Sequence, residues 1–286
     1  MVTLEQLEAL DLLVWLRLGS AAAAASCCDE SSITRRVRSV LRTFGLRLQR
    51  ASEVVLSGGL DLLRLQRVVH QHARYRGARP LRMEATHYIR QQLSSPALAG
   101  WMLGPCHHRG IETLLALLKE RVIDAWITSD LHDLPEGPEF SVIKLWEWPG
   151  ELVVHGAHPL AHVRRPSRGD LERFPSLVVP GQLYPKLAKM VHAKGFGRDC
   201  QLDRYDLGSW DGLTHDAVTI VYGSCLSLAA NRSLKRLHWN LSLTGGEALV
   251  LLREWQDAPA IALLLEDLRR RQIKLKQQLP ELVGQL

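Results

Sequence analysis

The segment from residue 29 to residue 50, DESSITRRVRSVLRTFGLRLQR, constrains the fold of this chain more than any other stretch. Apolar residues recur there at i, i+4, i+7, i+8 and i+11, the spacing of one helix face: Ile33, Val37, Val40, Leu41 and Phe44. A second face carries Arg35, Arg38 and Arg42, with Arg36 beside them. Such a helix suits DNA recognition, because arginine binds guanine edges bidentately and also holds phosphates. A solvated basic surface helix has the same pattern, so both interpretations remain open at this point.

Positive charge is concentrated near the same end of the chain. Residues 1–80 contain twelve arginines, no lysine and seven acidic residues, a net charge of +5, while the whole chain carries +6. This asymmetry is typical of a surface that binds a polyanion. A basic helix on a membrane surface is the competing interpretation, and the acidic polar face of the first helix, with Glu5, Glu8 and Asp11, argues against it.

The elements around this segment predict a small helical domain. Leucine spacing predicts a helix over about 4–18 that Gly19-Ser20 ends, and the alanine run 21–25 predicts a second helix. Residues 26–32 turn into the third helix, with Asp29 or Ser31 as the N-cap. Residues 46–56 are short and rich in strand-forming residues, which predicts a two-stranded wing.

A long helix is predicted from Ser57 to about Arg76. Four of its residues recur at spacings of three, four and three, which suits a coiled-coil seam between two chains: Leu62, Leu65, Val69 and His72. Packing within one chain is the alternative. His70 and His72 lack metal-ligand spacing and are interpreted as surface or seam residues.

After a linker at 76–80 the chain alternates between strand and helix patterns. Strands are predicted at 81–86, 122–128, 140–146, 151–155 and 176–179, and helices at 88–103, 111–121, 185–194 and 258–272. Such alternation predicts an α/β domain with largely parallel sheets.

Several short motifs follow one another in a recognisable order. In the first part these are Gly19-Ser20, the alanine run, Ile33-Thr34-Arg35-Arg36-Val37, Phe44-Gly45 with Leu48 and Arg50, and Val55-Leu56-Ser57-x-Gly59. In the remainder they are residues 114–127, LLALLKERVIDAWI, residues 153–161, and Asp170-Leu171-x-x-Phe174-Pro175 leading to Pro180-Gly181. In this order the chain resembles LysR-type transcriptional regulators over essentially its whole length.

This resemblance implies an architecture that is α/β overall. The N-terminal domain is expected to be an all-α-rich winged helix-turn-helix (1–57), followed by a long linker and dimerisation helix (58–79). A two-lobed α/β effector domain (80–286) then follows, with lobe I at about 80–154 and 256–286 and lobe II at about 155–255. The expected DNA-binding residues are Ser31, Ser32, Thr34, Arg35, Arg36, Arg38, Arg42 and Arg50.

The resemblance also implies a small-molecule effector bound between the two lobes. The expected ligand residues are Thr86, His87, Tyr88, Thr128, Ser129, Gly181, Gln182, Tyr184, Thr214 and Thr219. Thr86 and Thr128 are suited to donate hydrogen bonds to a carboxylate. The expected partners are double-stranded DNA, the effector and further copies of the chain in a homodimer or homotetramer.

Two other classes of function remain open. A binding protein that kept this fold but lost DNA binding is suggested by Glu30 and by a turn between Gly19 and Thr34 that is short for the family. An enzyme is disfavoured because the chain lacks the nucleophile-elbow, Walker, HExxH and dinucleotide-binding motifs, although Cys106-His107-His108 is an enzyme-like triplet. His155, His158 and His162 are interpreted as structural.

No cofactor and no metal site are expected. The five cysteines are scattered without a C-x-x-C pair, which favours buried free thiols over a zinc site or disulfides. No run approaches the roughly 18–20 apolar residues of a membrane helix, and the start lacks the charge pattern of a signal peptide. The expected location is therefore the cytoplasm, with no membrane partner.

Overall fold

The computed structural model describes residues 2–50, 53–86, 89, 93, 95–106, 109–181, 183–197, 199, 217–281 and 283–284. It divides into two compact units. Unit 1 comprises Met1–Glu84, Ala99–Pro105 and Leu114–Trp126, and unit 2 comprises Ala85–Leu98, Cys106–Thr113 and Ile127–Leu286.

Three helices and a hairpin begin unit 1. They are α1 (Leu4–Leu16), α2 (Gly19–Ala25), α3 (Glu30–Phe44), β1 (Leu46–Arg50) and β2 (Val54–Gly58). The strands pair antiparallel from Leu46 opposite Gly58 to Arg50 opposite Val54. The predicted winged helix-turn-helix arrangement is therefore confirmed. One detail was wrong: Gly19 begins α2 instead of ending α1, because Arg17 closes α1 in a left-handed conformation.

The long helix is α4 (Leu60–Tyr75), close to the predicted range. Buried ion pairs join its inner face to α1 and to Asp124. The Arg67 guanidinium lies 2.8 Å from the Asp11 carboxylate, and Arg74 lies 2.7 Å from Asp124. His70, expected at the surface or in a seam, is buried in this face. The ion pairs orient α4, since each buried charge needs its partner.

Two β-sheets follow α4. The larger has the strand order β11–β6–β10–β5–β3–β4 and the smaller has the order β8–β7–β9. The strands are β3 (Leu81–Ala85), β4 (Trp101–Leu103), β5 (Ala125–Thr128), β6 (Phe140–Pro149), β7 (Glu151–His155), β8 (Val221–Gly223), β9 (Leu234–Arg236), β10 (Thr244–Leu252) and β11 (Val283–Gly284).

Five more helices with defined bounds lie among these strands in the described part of the chain. They are α5 (Ile111–Lys119), α6 (Arg168–Leu171), α7 (Pro185–Ala193), α8 (Cys225–Ala230) and α9 (Pro259–Gln278), and a 3-10 turn spans Arg253–Trp255. Among the described residues, β7 and α7 contribute to one apolar core in unit 2, with Leu152, Val154, Leu187 and Val191 buried in it.

Several predicted elements differ from the structure. Residues 101–103, expected to be helical, form β4, while Ile89 and Leu93 are helical. The strand expected at 176–179 is reduced to a bridge between Ser176 and Ile220. The sheets are mixed instead of largely parallel: β3 and β4 are parallel, whereas β10 and β6, β11 and β6, and β7 with both β8 and β9 are antiparallel. The prediction failed because a short apolar run indicates a strand but does not indicate whether that strand pairs parallel or antiparallel.

Across the described residues, no helix has the length and apolar character needed to cross a membrane.

Candidate functional site

The helix α3 begins and ends with defined caps. The Asp29 carboxylate accepts hydrogen bonds from the Ser32 backbone N–H at 2.8 Å and from the Ser31 hydroxyl at 2.5 Å. The Ser31 hydroxyl, together with both Ser32 donors, holds the pKa of Asp29 well below its usual range. At the other end Gly45 adopts the left-handed conformation that commonly closes helices. The predicted N-cap at Asp29 is confirmed.

The two faces of α3 have opposite environments. Ile33, Val37 and Val40 are buried, and α1 packs on this side. On the other face Thr34, Arg35, Arg38 and Arg42 are exposed. Among the described residues, none of the three arginine side chains forms an ion pair. Arg35 donates a weak hydrogen bond to the Ser32 hydroxyl at 3.3 Å. Three guanidinium groups are therefore available on one helix surface.

Three of the predicted DNA-binding residues have other contacts. Ser31 and Ser32 donate their hydroxyls to the Asp29 carboxylate. Arg36 is half-buried, with its Nη1 3.8 Å from the Cys28 sulfur. The contacts of Ser31, Ser32 and Arg36 fix the N-terminal turn of α3. The exposed arginines of the same helix are therefore better placed to reach a ligand than these three residues.

The wing extends the positive surface. Arg50, one of the residues expected to bind DNA, lies exposed at the end of β1, and Arg47 on the same strand is also exposed. Arg47 is not among the DNA-binding residues expected from the sequence. Arg17, the residue that closes α1, forms an ion pair with Glu53 beside the wing at 3.1 Å. This pair ties the hairpin to the helices.

The stripe on α4 lies on the solvent side of the helix. Leu62, Leu65 and Val69 are 59%, 65% and 65% exposed, and His72 is exposed as well. This exposure contradicts the alternative that the stripe packs within one chain. An unburied row of large apolar residues is typical of an interaction surface.

A second group of candidate residues lies in unit 2, where β3 and β5 end. The Thr86 hydroxyl forms a short hydrogen bond with the Ser129 hydroxyl, and the Thr86 backbone N–H bonds to the Ile127 carbonyl at 3.2 Å. Ser129 donates in turn to Oε1 of Glu247 at 3.1 Å. The structure thus brings together two predicted ligand residues and adds Glu247, which sequence reasoning missed.

Glu247 is fully buried on β10, opposite Trp146 of β6. Burial raises the pKa of the Glu247 carboxyl to about 8, although Ser129 and the Trp146 indole both favour the charged form. The Trp146 indole N–H is thus the second donor beside this carboxyl, and the Trp146 Nε1 and Glu247 Oε2 atoms are both buried.

Asp130 adds a second buried carboxyl next to Ser129. Its Oδ1 accepts a hydrogen bond from the His132 backbone N–H at 2.9 Å. Burial and the neighbouring Asp133 raise the Asp130 pKa, while Lys186 opposes the shift. Burial, and then the charge of Asp130, raise the pKa values of the Tyr184 and Tyr222 hydroxyls. The predicted ligand residue Tyr184 therefore lies in the field of this carboxyl.

The other predicted ligand residues have varied positions. The Thr128 hydroxyl accepts a hydrogen bond from the Asp130 backbone N–H at 3.2 Å and so forms part of a turn. Thr219 is buried and Gly181 is exposed. His87, Tyr88, Gln182 and Thr214 lie outside the described residues.

The remaining candidate groups have structural contacts or lie outside the described part of the chain. The His158 ring contacts the Val218 carbonyl at 3.1 Å and the Leu160 backbone N–H at 3.0 Å.

Cys106 and Cys225 are buried thiols, whereas Cys27 is exposed and Cys28 intermediate, contrary to the expectation of burial. His107 and His108 are not among the described residues. Among the described residues, no group of three or more His, Cys, Asp or Glu side chains is placed to hold a metal.

Comparison with known proteins identifies the fold. No protein-family model matches the sequence, and no curated protein matches it either. Among solved structures, a full-length OxyR variant from Pseudomonas aeruginosa aligns with a TM-score of 0.58 at 15% identity, covering 94% of this chain and 95% of that one. ArgP from Mycobacterium tuberculosis aligns with a TM-score of 0.55 at 18% identity, covering 93% of this chain and 96% of that one.

A third match is full-length CbnR in complex with its target DNA, with a TM-score of 0.54, 15% identity, and coverage of 93% of this chain and 98% of that one. CbnR is a LysR family transcriptional regulator. The chain therefore has the fold of full-length LysR-type regulators over nearly all of its length.

Proposed function

We propose that this protein is a sequence-specific DNA-binding transcriptional regulator whose DNA contacts respond to a small-molecule effector. The observation that carries the proposal is the exposed arginine face of α3 on a winged helix-turn-helix whose opposite face is buried. Arg35, Arg38 and Arg42 on that helix, with Arg50 on the wing, contact bases and phosphates. The DNA-bound structure of CbnR, a protein of the same fold, supports this function.

The protein acts as a homodimer or homotetramer. The exposed stripe Leu62, Leu65 and Val69 supports pairing through α4, because a second copy would bury it. A dimer presents two copies of α3 to half-sites about 34–36 Å apart along the DNA. The proposed domains are residues 1–57 for DNA binding, 58–79 for dimerisation and 80–286 for effector binding.

The effector binds at the end of β3 and β5, where Thr86 and Ser129 meet. Binding there changes the relative placement of the DNA-binding elements in the oligomer, and so alters affinity for the operator. The coupling is reciprocal, so operator DNA changes effector affinity by the same factor.

A gel shift on DNA from the upstream region of its own gene tests the proposal. We expect binding that weakens steeply as salt rises from 50 to 200 mM, because each phosphate contact releases counterions. Failure to bind, or binding without salt dependence, would contradict DNA regulation.

The second candidate is a binding protein that keeps the fold without DNA binding. One observation favours it: the Glu30 carboxylate lies exposed at the entrance of α3, beside Gly19 of α2. An acid at this position repels the phosphates that the arginines attract. A Glu30→Gln variant separates the candidates, since gain of DNA binding in this variant alone favours the second one.

A further inference from the structure

We propose that unit 1 binds a free tetrahedral oxyanion, such as sulfate or phosphate, in a small cavity between α1, the end of α4 and the start of β3. The cavity has a volume of about 200 Å³. All of its lining residues belong to unit 1, whereas Thr86 and Ser129 of the proposed effector site belong to unit 2. This ion site is therefore additional to the proposed function and does not depend on it.

Two helices form the walls of the cavity. The helix α1 contributes Leu4 and Glu8, which are one turn apart, and α4 contributes His70, Ala73 and Arg74 at i, i+3 and i+4. Residues at these spacings lie on one side of a helix. The side chain of Ala73 is only a methyl group, so space remains between the polar side chains.

The chain after α4 turns back to complete the cavity. Gly77 adopts a left-handed conformation with a φ of 83°, and the Ala78 backbone N–H donates to the Ala73 carbonyl at 3.0 Å. This bond is typical of the Schellman motif that ends helices. The turn is followed by Arg79 and then by Arg82 of β3, and both side chains line the cavity.

His70 is the residue that first indicates a ligand. Its side chain lines the cavity and is 9% exposed, and within the described ranges its ring has no hydrogen-bond partner. An imidazole carries at least one N–H donor, and a buried polar group without a partner is costly. A ligand that accepts a hydrogen bond in the cavity supplies that partner.

Arg82 is a buried cation whose neighbours do not offset its charge completely. It is 3% exposed, and its Nη1 donates to the Val122 carbonyl at 3.1 Å and lies 3.6 Å from Asp11. Its Nε and Nη2 atoms have no hydrogen-bond partner in the described part of the chain. Burial, and then the charge of Arg74, lower the pKa of Arg82 to about 10, although Asp11 and Asp124 oppose the shift. An anion beside the guanidinium favours its charged form.

The other two arginines of the cavity differ in availability. Arg74 is engaged, because its Nε and Nη2 atoms donate to Asp124 at 2.7 and 2.8 Å. Arg79 is half-exposed and has only loose ion pairs, 3.5 Å from Glu8 and 3.8 Å from Glu5. Glu8 is the single acid among the described lining residues. Two available guanidinium groups and an imidazole thus favour an anion over a cation.

The size of the cavity and the arrangement of its donors limit the ligand class. A volume of about 200 Å³ is below the roughly 300–1,000 Å³ of pockets that hold drug-sized ligands. A tetrahedral oxyanion is small and accepts hydrogen bonds on all sides, which matches donors on α4, on residues 76–80 and on β3. A bound ion therefore connects α1 to the end of α4 and stabilises unit 1.

Anion binding is coupled to protonation of His70. Burial lowers the pKa of His70, and the charges of Arg74 and Arg82 act in the same direction, so the ring is neutral near pH 7. The titratable groups that face the ring and the cavity from the neighbouring elements are Glu5, Glu8, Asp11, Arg74, Arg79 and Arg82. An oxyanion favours the charged imidazole, so binding takes up a proton and tightens as pH falls.

Equilibrium dialysis of the full-length protein against radiolabelled sulfate tests the site, with chloride keeping the ionic strength constant. We expect one saturable site per chain, with affinity rising as pH falls from about 7.5 to about 5.5. Sulfate keeps its charge over this range, so the protein alone accounts for the change. Unlabelled phosphate should displace the label, and dimethyl phosphate, which mimics the diester of a DNA backbone, should not.

Five variants identify the residues involved. Arg79→Gln removes an available donor and should weaken sulfate binding about tenfold or more, whereas Glu8→Gln removes a repelling charge and should tighten it. Ala73→Leu fills the cavity without changing any charge and should abolish binding. His70→Gln should remove the pH dependence. Arg76→Gln, at an exposed position outside the cavity, is the matched control and should bind like the wild type.

Four results overturn the proposal. They are no saturable sulfate binding by the wild type, displacement of sulfate by dimethyl phosphate, equal affinities of Arg79→Gln and Arg76→Gln, and a pH dependence that persists in His70→Gln. Displacement by dimethyl phosphate would assign the cavity to a phosphate of bound DNA instead of a free ion. Circular dichroism of each variant establishes that a loss of binding does not come from unfolding.

Discussion

Single residues of this protein acquire their chemistry from burial. The clearest case is Glu247, whose carboxyl has an ordinary pKa of 4.5 and a pKa of about 8 in the fold. The folded state thus keeps a proton that the unfolded chain releases above about pH 4.5. A group of this kind makes unfolding easier as pH rises through the interval between the two values.

We therefore expect the free energy of unfolding to fall between pH 4.5 and 8 by up to about 1.4 kcal/mol per pH unit from Glu247 alone. Urea unfolding of the wild type and of Glu247→Gln across this range measures the contribution. The difference between the two proteins should grow with pH in favour of the variant. A constant difference would show that Glu247 titrates alike in both states.

Asp11 is a second residue that depends on burial. Its carboxylate lies 2.8 Å from Arg67 and 3.6 Å from Arg82, and all three side chains are buried. Asp11→Asn removes the carboxylate that lies nearest to Arg82 and one of the two carboxylates paired with Arg67, which also lies 3.0 Å from Glu120. We expect a loss of about 3–5 kcal/mol in the free energy of unfolding. Arg64→Ala, which removes an exposed pair with Glu120, should cost less than about 1 kcal/mol. Equal losses would contradict the burial argument.

At the scale of an element, α3 combines two functions in one helix. Its apolar face secures it to the domain, and its arginine face lies free of ion pairs among the described residues. Because the helix is rigid and capped at Asp29 and Gly45, the three guanidinium groups keep a fixed spacing. Fixed spacing is what sequence-specific contacts require.

Arg35→Ala is expected to weaken operator binding by about 1–3 kcal/mol if this residue reads a base. Arg38→Ala or Arg42→Ala, acting on phosphates, should weaken all sequences alike and reduce the salt slope by about one. Fluorescence anisotropy on operator and scrambled DNA at several salt concentrations separates the two effects. Arg173→Ala, at an exposed site on unit 2, is the control and should change neither.

At the scale of the whole molecule, the exposed stripe on α4 predicts self-association. A glutamate at Leu65 or Val69 places a charge in the proposed seam, where desolvation makes it costly. We expect Leu65→Glu and Val69→Glu to shift the protein towards monomer in sedimentation velocity. Leu263→Glu, at an apolar residue of α9 that is 72% exposed, should leave the oligomer intact. A monomeric wild type would contradict pairing through α4.

Unit 1 includes more than the helix-turn-helix. The Trp15 indole donates to the buried Glu84 carboxylate at 2.9 Å, which attaches α1 to β3. Gly104 lies against this pair, and a Cβ there would come 2.6 Å from Glu84 and 2.8 Å from Trp15. The start of β3 is therefore part of the same compact unit as α1 and α3.

The sequence by itself determined the elements whose periodicity is strong. The helices α1, α3, α4 and α7, the wing and the strand β7 lie where helical or alternating spacing predicted them. Helical periodicity also predicted the arginine face of α3, because residues three and four apart share a helix surface. Resemblance in the order of motifs then indicated the LysR fold, which solved structures of that fold confirm.

The tertiary structure alone decided the pairing of strands and the identity of the buried carboxyls. The strand β10 has no counterpart among the predicted strands. Glycine is needed in it, because a Cβ at Gly246 would lie 2.5 Å from the Trp146 carbonyl. With β10 missed, Glu247 was missed too. The raised pKa of Glu247 comes from burial among neighbours such as Ser129, which is more than a hundred residues away in sequence, and local spacing does not encode that contact.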